Sequence, residues 1–275
     1  IIATKYALKL ADVVVTEAGF GADLGAEKFF DIVCRSNGLR PNCAVLVCSI
    51  KALKMHGGCP LEAVGCEDLE TLRAGLPNLD KHIDNLRHFG VPIVVAINHF
   101  AADTEAEIAL VREHCREMGV RSALSDVFAR GGEGGLELAD QVLEAMEKDP
   151  CAFRFLYDVE MSLKDKISRI ATEMYGAKRV EYETAAQRHL RTIEEAGLGN
   201  MMVCMAKTQL SLTDKPELKG APTDWELTVR EIFVSQGAGF VVPICGRIML
   251  IPGLPSRPSA LGIDIDEDGR ITGLY

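Results

Sequence analysis

Two loops near the start of the chain carry side chains suited to holding an anion or a flat ring. The apolar run Val13-Val14-Val15 leads into Thr16-Glu-Ala-Gly-Phe-Gly-Ala-Asp-Leu-Gly25, and Ala44 to Cys48 leads into Ser49-Ile-Lys-Ala-Leu-Lys-Met-His-Gly-Gly58. Buried strands that stop at glycine-bearing loops place those loops at the carboxyl edge of an open α/β sheet, where ligands bind. Gly19 and Gly21 suit a tight strand-to-helix turn, and a helix starting at about Asp23 offers free N–H groups to an anion. Lys51 and His56 complete a candidate phosphate or substrate loop. Lys54 and Lys207 fit the same chemistry, and each of the four fits equally a solvated surface charge.

Other motifs fail on spacing. In Gly19-Phe-Gly-Ala-Asp-Leu-Gly25 the third glycine falls one position late for the dinucleotide fingerprint, and no acid follows the second strand. The segment Asp264 to Gly269 opens like a calcium loop, but Tyr275 stands where a bidentate glutamate is required, so a hairpin turn explains it better. His56, Cys59 and Cys66 match no standard zinc spacing and read as unpaired loop residues. No metal site is expected. A phosphate loop of the form G-x-x-x-x-G-K-[ST] occurs nowhere in the 275 residues, so the chain by itself is expected to be poor at phosphoryl transfer.

The elements that must position these loops follow from hydrophobic periodicity. Strand and helix patterns alternate over the first part, which predicts an α/β fold: a parallel sheet with crossover helices. A helix is expected from Leu79 to Phe89, a doubly covered strand over Ile93 to Ile97, and a helix from Glu105 to Met118 capped by Thr104 and Glu107. A short strand at Arg121 to Leu124 then runs into a loop with four glycines between Gly131 and Gly135. Helices are expected over Leu136 to Lys148, Phe155 to Tyr175 and Thr184 to Ala196. Strands are expected at Val203 to Ala206, Glu226 to Val234, Phe240 to Cys245 and Ile248 to Ile251, punctuated by prolines that suit edges. These predict a smaller α+β domain after the first, with residues 1–150 and 151–275 as the two parts.

Composition narrows the class. A net charge of −10 argues against nucleic-acid or anionic-membrane partners. An apolar fraction of 48% without any long apolar stretch fits a globular protein with no spanning segment. Nine cysteines without a CxxC pair fit a reduced, cytoplasmic setting. The first residues, Ile1-Ile-Ala-Thr, read as a chain opened in mid-domain.

The wording of the chain resembles the formate–tetrahydrofolate ligases along its whole length, as a C-terminal portion lacking the phosphate-loop half. That family carries a stretch close to V-A-T-x-R-A-L-K-x-H-G-G. Here Val47 to Gly58 matches at Ala52 to Lys54 and His56 to Gly58, while Cys48, Ser49 and Lys51 replace Ala, Thr and Arg. Thr16 to Phe29, Val203 to Gln209, Gly237 to Phe240, Pro252 to Pro255 and Ile263 to Asp266 are also similar. The resemblance implies ATP-dependent joining of formate to tetrahydrofolate through formyl phosphate, with ATP and Mg2+ as substrate and a response to monovalent cations. It implies catalytic residues upstream of Ile1, and homotetramers. It also implies a folate slot within this chain, made by Phe20, Phe100, Leu124 and Phe128. Phe100 sits in Ile97-Asn-His-Phe-Ala-Ala-Asp-Thr104, where Ala101 replaces the usual proline. Phe128 stands where tryptophan is usual. The alternatives are that both rings fill the core at strand ends, and that the polypeptide is a catalytically inactive folate-binding or assembly module.

Overall fold

The computed structural model describes residues 1–246 and 257–273. Its first sheet is built from β1 (Ala44–Cys48), β2 (Ile93–Asn98) and β3 (Arg121–Ser125), in that order and all parallel. Ile93 to Ile97 are all buried, as a central strand covered on both faces must be. By contrast β1 is an edge strand with Val45 and Val47 exposed. Helices α2 (Ile50–His56) and α3 (Leu69–His88) connect β1 to β2, and α4 (Glu105–Glu117) connects β2 to β3. The expected capping box at Thr104 and Glu107 is present, and Gly119, with φ of 67°, ends the turn after α4. Helix α5 (Leu136–Lys148) follows the glycine loop. An N-terminal helix, α1 (Ile2–Leu10), precedes them all and buries none of its residues.

Helix α3 begins ten residues earlier than its sequence pattern suggests. Asp68 caps it by accepting from the N–H groups of Glu70 and Thr71, and the helix runs through Pro77. An interior proline costs about 3 kcal/mol. Leu72, Leu76, Leu79, Ile83 and Leu86 form one buried stripe across it, at roughly 1.5–3 kcal/mol each, so packing wins. The stripe lies against α2 at closest range where Gly57 meets Gly75. A Cβ on Gly57 would fall 1.8 Å from the Thr71 carbonyl oxygen, and one on Gly75 would fall 1.9 Å from that of Leu53.

Three expectations need correction. Val13 to Val15 is extended but pairs with no strand among the described residues, and Val15 is 85% exposed. Without a neighbour to take its N–H and C=O groups, an apolar run cannot become a strand. The helix expected from Phe155 starts at α6 (Leu163–Arg169), capped by Ser162, and continues as a wider π-type turn over Ile170–Met174. Residues 151–162 stay non-helical because their groups are already engaged. Ala152 and Arg154 donate to the carbonyls of Gly90 and Phe89, Leu156 donates to Asp31 Oδ1, and the Phe153 ring packs on Phe30 at 5.6 Å. The third is the strand expected over Val203 to Ala206, which is only β5 (Met202–Val203) with Ala206 in an isolated bridge to Ile244; β4 (Arg179–Tyr182) is a strand that periodicity does not announce.

The second sheet has the order β4-β6-β7-β5, with β5 (Met202–Val203), β6 (Glu226–Ser235) and β7 (Phe240–Cys245). Only β6 and β7 are antiparallel; β4 lies parallel to β6 and β5 parallel to β7. Helix α7 (Thr184–Glu195) packs on β6. The expected strand at Ile248 to Ile251, and the stretch Pro252 to Pro255 after it, lie outside the described residues. The acidic segment forms the expected hairpin of β8 (Asp264–Ile265) and β9 (Ile271–Thr272), with Asp266 Oδ1 accepting from the N–H groups of Asp268 and Arg270. One buried cluster runs from Phe30, Phe89 and Ile97 to Met174, Val229 and Val241, so the interior joins both sheets. No described helix is long and apolar enough to cross a membrane.

Candidate functional site

The parallel register brings the ends of all three strands of the first sheet to one edge. Cys48 aligns with Ile97, Ile97 with Leu124, and Asn98 with Ser125. Ser49 and Lys51, His99 and Phe100, and Asp126 and Phe128 therefore leave the sheet on the same side. The two inner loops are joined there. His99 N–H donates to the Ser125 carbonyl at 3.0 Å, and His99 Nδ1 lies 3.1 Å from Asp126 Oδ1. The glycine loop folds back beneath them: Asp126 N–H donates to the Gly134 carbonyl, and a Cβ on Gly134 would fall 2.2 Å from Asp126 O.

Neither Phe100 nor Phe128 fills the core. Phe128, on a one-turn helix (Val127–Arg130), is 88% exposed, and Phe100 is 38% exposed. The Phe100 turn is fixed by its N–H donating to Asp103 Oδ2 at 2.8 Å. Neither ring is paired with another aromatic ring among the described residues. Lys51 Nζ lies 4.5 Å from the centre of the Phe100 ring, a favourable position for an ammonium. Leu124 is half-buried and packs on the core below.

Phe20 projects from the other loop and is 67% exposed with φ of 61°, a left-handed conformation uncommon for a bulky residue. A cavity of about 700 Å³ opens beside it, with Gly21, Ser49, Ala52, His56 and Asn98 in its lining. The cavity also separates Val13 to Val15 from the free edge of β1. Gly19 stands open, whereas Gly21 is pressed on His82: a Cβ there would meet His82 Cε1 at 2.7 Å.

The basic side chains divide sharply. Lys54 is fully buried and pairs with Glu107 at 2.7 Å, and Lys207 is buried against Asp23 at 2.8 Å. Neither is a surface charge. His56 Nδ1 accepts from Gly220 N–H, and burial, reinforced by Lys219, pushes its pKa down to about 4. It meets the cavity as a neutral imidazole, so among Lys51, Lys54, His56 and Lys207 only Lys51 presents a half-exposed ammonium, beside the Phe100 ring.

Sequence reasoning missed a buried acidic row at Asp23, Glu27 and Asp31. Its signal was present: three acids at a four-residue spacing inside a helical run, Ala22–Cys34, that is otherwise apolar except for Lys28. Burial would push Asp23 up, but Lys207 and His82 outweigh it and hold the carboxyl below its usual range. Among the described residues neither oxygen of Glu27 has a hydrogen-bond partner, and burial raises its pKa to about 8. Among the described residues no group of three or more His, Cys, Asp or Glu side chains is placed to hold a metal ion.

The class that the fold defines is an α/β protein, with exposed rings, the Lys51 ammonium and a cavity at the carboxyl edge of its parallel sheet. The model of the family described as formate–tetrahydrofolate ligase matches residues 1–275. The chain is 55% identical to formate–tetrahydrofolate ligase of Symbiobacterium thermophilum, over all of this chain and 50% of that protein. It belongs to the formate–tetrahydrofolate ligase family, and it spans about half the length of the curated relative it matches.

Proposed function

We propose that this chain supplies the folate slot of an ATP-dependent ligase that joins formate to tetrahydrofolate. The carrying observation is the exposure of Phe20, Phe100 and Phe128 on loops that flank one sheet edge, where a core role would bury them. A pterin and an aminobenzoyl ring need such faces, and offset stacking is worth roughly 0.5–1.5 kcal/mol per pair beyond area burial. Lys51 offers a cation for the anionic part of a substrate. In the family's reaction a formate oxygen attacks the γ-phosphorus of ATP and ADP leaves. The N10 amine then attacks the formyl carbon, phosphate departs and N10 loses its proton. MgATP enters as a substrate and a monovalent cation as an effector. The first sheet belongs to the nucleotide and folate part (1–150), and residues 151–275 form a smaller α+β part. Assembly as homotetramers and a cytoplasmic setting belong to the same reading.

A second reading is a folate-binding or assembly module without chemistry of its own. Titrating the chain with tetrahydrofolate and with ATP separately, and assaying ADP release with formate, distinguishes them. Folate binding with ADP release supports the ligase. Folate binding without ADP release, in a protein of the relatives' full length that carries this chain, supports the module. No folate binding by that longer protein sinks both.

A further inference from the structure

Lys207 lies directly after Ala206, which bridges to Ile244 in the second sheet, yet its ammonium ends beneath the Phe20 loop. It is fully buried and fully used. Nζ donates to the Ser211 carbonyl at 2.7 Å and the Thr208 carbonyl at 3.2 Å, lies 2.8 Å from Asp23 Oδ2, and faces the Tyr175 ring at 4.8 Å. Asp23 in turn reaches back toward the loop. Its Oδ1 is 3.9 Å from His82 Nδ1, and the space a Cβ on Gly21 would take is bounded by Asp23 Oδ1 at 2.6 Å and by the His82 ring. On the opposite side a Cβ on Gly25 would sit 1.7 Å from the Gly19 carbonyl oxygen. The backbone of residues 19–25 thus closes on itself between Gly19 and Gly25 and is held from outside by Lys207 and His82.

Phe20 needs that grip. A phenylalanine at φ of 61° does not hold this conformation by its own preference, and such conformations persist only where the surroundings over-determine them. A buried ion pair, for its part, is weak evidence of stability, because an apolar replacement of the same volume often serves as well. What it does supply is a fixed geometry. We propose that Lys207 is a positioning residue: through Asp23 it sets the loop conformation in which Phe20 presents its ring to the cavity. The second sheet thereby takes part in shaping a site whose other rings all come from the first. This rests on the folate-slot reading above.

The test uses a protein of the relatives' full length that carries this chain, with Lys207→Met, the uncharged pair Asp23→Asn with Lys207→Met, Phe20→Ala, and each combined with Phe20→Ala. Steady-state KM for tetrahydrofolate and for formate are measured with kcat. Lys207→Met is expected to raise the tetrahydrofolate KM by about fivefold to tenfold, the scale of one lost stacking contact, with the formate KM unchanged. In the Phe20→Ala background it is expected to add nothing, since residues acting through one another are not additive. If Lys207→Met does not fold, the uncharged pair, which leaves no buried lone carboxylate, carries the same expectation. Equal rises in both KM values, additivity with Phe20→Ala, or failure of both variants to fold assigns the pair to stability alone and overturns the proposal. Should Phe20→Ala itself leave the tetrahydrofolate KM unchanged, the folate reading fails instead.

Discussion

Phe128 stands in solvent with an open face, in a place where the family's wording carries a tryptophan. A larger indole at that position buries more of a stacked ring and adds an N–H donor. Phe128→Trp is therefore expected to lower the tetrahydrofolate KM by about twofold to tenfold with kcat unchanged, as steady-state kinetics would record; an unchanged or higher KM speaks against stacking there. Glu27 makes a different prediction. Burial, opposed by Lys28 and reinforced by Asp31 and Asp23, lifts its pKa from 4.5 to about 8. The folded state then keeps a proton that the unfolded chain releases above its own lower pKa, so stability falls as pH rises through that interval. His56 and His82 are shifted downward, chiefly by burial, and their contribution grows with pH only up to the ordinary histidine range. Asp31, raised to about 6 mainly by burial, is spent below that range. Between pH 6.5, the reference value for histidine, and about 8 the decline belongs to Glu27. Denaturant unfolding at both ends of that window should show lower stability at the alkaline end, and Glu27→Gln should remove the difference; a slope that survives the substitution contradicts the assignment.

Helix α4 shows how one element can carry two duties. Thr104 and Glu107 cap it, and Glu107 Oε1 also takes the buried Lys54 ammonium and the Asp68 N–H. Thr104→Ala removes a cap and is expected to cost about 1 kcal/mol. Glu107→Ala strands a buried ammonium and is expected to cost about 3–5 kcal/mol, so thermal unfolding should rank them clearly; equal losses would mean that Lys54 finds another partner. The cap was legible in the sequence, as were β2, β3, α5, α7 and the Asp264 hairpin, because each rests on short-range chemistry. The start of α3 was not, since its cap at Asp68 follows a glycine and proline-bearing loop and its stripe crosses Pro77. The extended course of 151–162 was hidden for a related reason: its partners, Phe30, Asp31, Phe89 and Gly90, lie far away in sequence. For the candidate site, strand ends and ring-bearing loops could be read directly, whereas the burial of Lys54 and Lys207 could not, because their carboxylate partners come from distant elements.

At the scale of the whole molecule, the described surface is least finished around β1 and α1. Val45 and Val47 on the edge strand, Ile2, Tyr6 and Leu10 on α1, and Val13 and Val15 are all exposed, and the cavity of about 700 Å³ lies between Val13 to Val15 and β1. Open apolar edges of this kind invite pairing with another chain. The 275-residue polypeptide on its own is expected to form aggregates of mixed size and to bind a hydrophobic dye, whereas a protein of the relatives' full length should form one discrete assembly and leave the dye dark; light scattering and dye fluorescence decide this, and a monomeric, dye-silent chain would contradict it. The central claim is that exposed phenylalanines at one sheet edge hold a folate. Calorimetric titration of that longer protein with tetrahydrofolate, before and after Phe100→Ala, tests it most directly. The account predicts affinity weakened by about tenfold with ATP binding unchanged, and an affinity for tetrahydrofolate equal to the parent's would contradict it.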